Sequence, residues 1–167
     1  MSFRSLIAAA ALALLPLAAT AQTHPEEMHV HDAYARIGNG SGAVFFMIHN
    51  NTDVDRTIVG AHTGIADKAE LHTHTESADG VMTMGKIEGG VPLPAGEMHD
   101  FTRGGDHVLL MGLKGALANG DHFDLVLEFA DGAELTLPVV VDNDRKPGEG
   151  MMDMGGMDHS QHGQTGD

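Results

Sequence analysis

His72 and His74 stand two residues apart, Met82 and Met84 repeat that spacing ten residues later, and His107 and Met111 follow further along the chain. Imidazole and thioether are soft, neutral donors, and a set containing both suits Cu(I), with Cu(II) a second ion that the imidazoles could accept. Zinc would recruit cysteine or carboxylate beside histidine, and calcium or magnesium would need an oxygen-lined loop that this sequence lacks. A single methionine in a strand is more often a core filler than a ligand. Met47, His49, His62, His99 and His122 therefore read as structural or merely exposed. The named residues differ by concentration, with paired His and paired Met inside thirteen positions.

The composition points the same way. There are 12 His and 11 Met among 167 residues, against 6 Phe, 1 Tyr, and no Trp or Cys. Without cysteine there is no disulfide, no thiolate nucleophile and no His2Cys copper site of the electron-carrier type. A formal net charge of −15 repels nucleic acid and anionic lipid headgroups, and attracts cations and basic protein surfaces. No nucleophile stands beside a base and no carboxylates cluster catalytically, so an enzyme is not expected.

The elements that must position these residues are β-strands. Short apolar or alternating runs at 30–36, 43–49, 56–61, 69–75, 81–87, 97–101, 107–113, 123–129 and 133–141 are separated by turn residues, Asp79-Gly80 and Asp131-Gly132 among them. This is the spacing of an all-β sandwich or barrel. Helical period is nowhere sustained, though 64–68 or 115–120 could hold one short turn. The runs around His72 and Met84 read as a hairpin closed at 77–80, in which 75 faces 82 and 73 faces 84. His72 and His74 share a face in any register, as do Met82 and Met84, while a slip of one residue turns each side chain to the other face. His107 and Met111 share a face by the same period of two.

The flanks differ in kind. Residues 1–21 read as a signal peptide: Arg4, an apolar run over 6–17, and Ala19-Thr20-Ala21 before a cleavage at Gln22. Its loss, with Arg4, takes the formal charge from −15 to −16. The run is shorter than the roughly 20 apolar residues of a membrane-spanning helix. A periplasmic, soluble monomer without stable membrane insertion is expected, and not a lipoprotein, there being no cysteine to acylate. Residues 22–27 form a polar head and 28–143 the domain. Residues 144–167 read as a disordered tail whose Met151, Met152, Met154, Met157, His159 and His162 form a second set of soft donors. His24, Met28, His29 and His31 form a smaller cluster that could equally be an exposed edge.

The stretch 69–117, AELHTHTESADGVMTMGKIEGGVPLPAGEMHDFTRGGDHVLLMGLKGAL, resembles the periplasmic copper chaperone family PCu(A)C. A weaker likeness extends upstream through His31-Asp32-Ala33-Tyr34-Ala35-Arg36 and downstream to Val141. The resemblance implies a cupredoxin-like Greek-key β-barrel with a shallow Cu(I) site of two His and two Met. It also implies delivery of copper to a cytochrome c oxidase subunit at the CuA centre, or to another copper-accepting assembly protein. The family's ligands fall on His72, Met84 and His107, with Met82 competing because the His-to-Met spacing is one residue longer here. The family's closing His-x-Met is His107-Val108-Leu109, and Leu109 cannot coordinate. Met111, one alternation further on, or a tail residue is expected to supply the missing thioether.

Overall fold

The computed structural model describes residues 28–76 and 79–146, so the expected signal segment, polar head and Met/His tail beyond residue 146 lie outside the described residues. Among the described residues ten strands run in order: β1 (Met28–Ile37), β2 (Ser41–Asn50), β3 (Arg56–Thr63), β4 (Ala66–Glu76), β5 (Met82–Lys86), β6 (Val91–Leu93), β7 (Met98–Phe101), β8 (His107–Leu113), β9 (His122–Phe129) and β10 (Glu134–Val141). No helix occurs among the described residues, including 64–68 and 115–120. The sheet order β4-β8-β2-β1-β10-β9-β3 closes on itself where Ala61 of β3 pairs with Ala69 of β4, giving a barrel of seven strands. β5, β6 and β7 are appended to β4, β3 and β2. The pairing of β1 with β10 is parallel and the other ladders are antiparallel.

The alternation of the sequence decides which side of each strand faces in. Phe123, Leu125, Leu127 and Phe129 of β9, Leu137, Val139 and Val141 of β10, and Val108 and Leu110 of β8 fill the interior. Phe46 stacks on Phe101 at 4.3 Å between ring centres. Asn50 is fully buried, and its amide donates to the carbonyls of Val54, Leu93 and Pro94 at 2.8, 2.9 and 3.2 Å. That satisfies a polar group whose burial would otherwise be costly, and ties the β2–β3 connection to the segment after β6.

One irregularity matters for the surface. Between His31 and Tyr34 the β1–β2 register shifts, so that His31 pairs with Met47 but Tyr34 pairs with Phe45. The extra residue is a β-bulge, and Asp32 adopts φ 60°, a left-handed conformation uncommon outside glycine. The Asp32 carboxylate is held by Arg145, whose guanidinium also lies 4.2 Å from the centre of the Tyr34 ring. The bulge leaves His29, His31 and Tyr34 on the same outward face.

Candidate metal centre

β4 lies between β5 and β8, and the two ladders set the site. On one side His74 faces Met84, His72 faces Lys86 and Glu76 faces Met82. On the other, His72 faces His107, Glu70 faces Leu109 and Lys68 faces Met111. The hairpin is therefore slipped by one residue from the register expected from its sequence, since 75 pairs with 83 and 73 with 85. The slip puts His74 directly across from Met84 instead of diagonal to it. All of these side chains occupy the outer face, because Leu71, Val108 and Leu110 between them point into the core.

Three imidazoles converge there. The His107 ring lies 5.0 Å from that of His74, stacked, and 6.2 Å from that of His72. His107 is 2% exposed although it is on the outer face, because both histidines cover it and Phe45 packs against it at 6.1 Å. The thioethers are the opposite. Met84 and Met82 are 47% and 53% exposed on β5, a strand exposed along its whole length, so the cluster is imidazole at its floor and thioether at its rim.

Hydrogen bonds select the ring nitrogens. The Gly105 carbonyl accepts from the His74 backbone N–H at 3.3 Å and from His107 Nδ1–H at 3.1 Å, fixing both residues to the turn before β8. A carbonyl can only accept, so His107 carries its proton on Nδ1 and keeps a lone pair on Nε2. His72 Nε2 lies 3.3 Å from Glu70 Oε2, and Lys86 Nζ lies 3.5 Å from the other carboxylate oxygen. The hydrogen bond from His72 holds the Glu70 carboxyl below its ordinary range, opposed by desolvation and helped by the nearby Lys86 ammonium. Ionised Glu70 accepts from His72 Nε2–H and leaves Nδ1 as the free donor, the carboxylate–histidine arrangement that orients metal ligands. His72 Nδ1 and His74 Nδ1 are both buried without a hydrogen-bond partner. Buried polar atoms are rarely left so, and a metal ion would satisfy them. Burial pushes the His107 imidazole below its usual pKa, helped by the neighbouring His74 and His72 and opposed by the Gly105 carbonyl. The ring is kept neutral, the form that coordinates.

His72, His74, His107 and Met84 are thus brought together, with Met82 one pleat further along the same rim. Met111 is not brought to them. It shares the face of His107 but sits four residues along β8, about 13 Å at roughly 3.3 Å per residue, and opposite Lys68. His74, on which the family resemblance places no ligand, lies between Met84 and His107 in the cluster. The signal was its shared face with His72, and its weight depended on the register. A different group, His62, Glu128 and Glu134, has ligand atoms within 4.8 Å of one another on β3, β9 and β10, but two carboxylates make it a harder donor set.

A seven-stranded barrel with an imidazole–thioether cluster on its outer face defines a small all-β domain that presents soft donors at its surface. The family model described as "Putative lipoprotein LpqE-like" matches residues 28–141, and the chain belongs to that LpqE-like family. "Putative lipoprotein Lxx21020" of Leifsonia xyli subsp. xyli is 34% identical over 129 residues, covering 75% of this chain and 76% of that protein. The solution structure of CuI-DR1885 from Deinococcus radiodurans is similar at 28% identity and a TM-score of 0.54, over 75% of this chain and 84% of that one. The copper-bound PCuAC domain from PmoF2 shares the fold at 17% identity and a TM-score of 0.56, over 70% of this chain and 92% of that one.

Proposed function

We propose that this protein is an exported Cu(I) metallochaperone that takes its ion on His72, His74, His107 and Met84 and hands it to cytochrome c oxidase at the CuA centre during assembly. The observation that carries the reading is the convergence of three imidazoles and a thioether on one face, with the Nδ1 atoms of His72 and His74 buried and unpartnered. The likeness to a Cu(I)-bearing relative at 28% identity supports copper as the cargo. Copper is cargo here, and the domain is non-catalytic.

The chemistry suits transfer better than retention. Thioethers need no deprotonation to bind, and an exposed Met84 at the rim can be exchanged for a donor of the acceptor while the imidazoles still hold the ion. Affinity differences then set the direction. The acidic surface attracts the cation and speeds encounter with a basic acceptor. With Leu109 where the PCu(A)C pattern has methionine, His74 takes the fourth position. Three imidazoles with one thioether make a harder set than two of each, so Cu(II) is accepted as well as Cu(I).

Anaerobic competition titration against a chromogenic Cu(I) chelator, followed by mixing with an apo CuA domain, tests the reading. One tightly held copper that is lost in His72→Ala and His107→Ala and moves to the CuA domain is expected. Retention of that copper in both variants would overturn it. A second reading, a periplasmic buffer, is favoured by the four Met and two His within residues 151–167. Several weaker coppers lost on truncation after residue 146, with the tight one retained, would assign that role to the tail. X-ray absorption with and without the tail would count the sulfur neighbours in each case.

A further inference from the structure

We infer that the outer face of β1, β2 and β7 carries a second copper-binding patch, built from His29, His31, His49, Met47 and Met98. It shares no residue with the cluster on β4, β5 and β8. The ladders assemble it from three separate parts of the sequence. His29 is directly opposite His49, which is directly opposite Met98; in the next row His31 is opposite Met47, which is opposite Asp100. Directly opposed residues on antiparallel strands have Cβ atoms about 4.5–5.5 Å apart. That is close enough for two imidazoles, or an imidazole and a thioether, to share one ion.

Four further observations point to a ligand. The His29 and His31 rings are stacked, with centres 6.4 Å apart, so the two rows lie side by side. His49 Nε2 donates to the Gly96 carbonyl at 3.3 Å, which leaves Nδ1 free. Met98 is 59% exposed, so packing an irregular core gap does not explain a methionine there. The bulge at Asp32 puts His29 and His31 on the face shared with Tyr34; an unbroken strand would turn them inward toward Ile48. Three imidazoles and two thioethers with one carboxylate at the margin suit copper, and the second thioether favours Cu(I) more than in the three-imidazole, one-thioether cluster on β4, β5 and β8. Phe45, between Tyr34 and His107 on the same face, separates this patch from the β4–β8 cluster.

The test is an anaerobic Cu(I) titration of the full chain, followed through the imidazole C–H and methionine methyl resonances. Those of His29, His31, His49, Met47 and Met98 are expected to shift, to go on shifting in His72→Ala/His107→Ala, and to stop shifting at the remaining patch residues in His29→Ala/His49→Ala. Both substituted residues of the latter variant are at the surface, so its fold is retained, and its His72 and His107 signals report that directly. Patch signals that stay still while His72 and His107 respond would overturn the inference. So would Met47 and Met98 shifting equally with and without His29 and His49. If the patch responds while His72 and His107 do not, the chaperone site fails and the second patch stands.

Discussion

His72 faces His107 across the β4–β8 ladder with ring centres 6.2 Å apart, and each directs one ring nitrogen to a fixed acceptor, Glu70 for the first and the Gly105 carbonyl for the second. The nitrogens left over, Nδ1 of His72 and Nε2 of His107, are selected before any ion arrives. Such preorganisation would lower the cost of assembling these donors around the proposed ion.

Removing either imidazole should weaken Cu(I) binding by at least about a hundredfold, since even changes behind the first ring of ligands cost about 10- to 100-fold. Glu70→Gln tests that outer contribution, with an expected loss of about tenfold as His72 loses its orienting carboxylate. Chelator competition measures each, and thermal unfolding of the apo forms checks that the fold is intact.

Met111→Leu should leave Cu(I) affinity at the wild-type value, because the strand carries that thioether away from the cluster toward Lys68. Leu109→Met should do the reverse. Position 109 is the next on the His107 face, and a thioether there should tighten Cu(I) binding about tenfold, ~1.4 kcal/mol. An unchanged affinity in Leu109→Met together with a loss in Met111→Leu would invert the assignment.

Acidification should destabilise the apo protein through His107. Its folded pKa lies below the usual 6.5, so the unfolded chain binds more protons and stability rises with pH in that window. The contribution is fully present above about 6.5 and is lost as pH falls through the depressed folded value. Urea midpoints across that range should fall for the wild type, and fall less for His107→Gln.

Gly90→Ala should lower the unfolding midpoint without touching copper affinity. Gly90 has φ +88°, and a Cβ there would meet the Ile58 backbone oxygen at 2.4 Å. A residue forced into such a conformation costs about 1–3 kcal/mol, and the contact adds to it. Thermal unfolding and copper titration of the one variant separate the two effects.

Much of this protein is determined by its sequence alone, because the period of two is intrinsic to a strand. Alternation located nearly every strand, and it showed that His72 with His74, and Met82 with Met84, must share faces. β6 escaped it, since Val91–Leu93 is too short to display a period. What alternation cannot supply is register, closure or distance. The one-residue slip that puts His74 across from Met84 depends on how β4 is held between β5 and β8. Met111 has the right parity and the wrong separation. The rows joining His29 to His49 and His49 to Met98 arise from pairings between segments far apart in the chain, with a bulge at Asp32 that reverses the facing of two histidines. Parity is a local property of the backbone; which donors can share an ion is decided by how separate strands are brought side by side when the barrel closes.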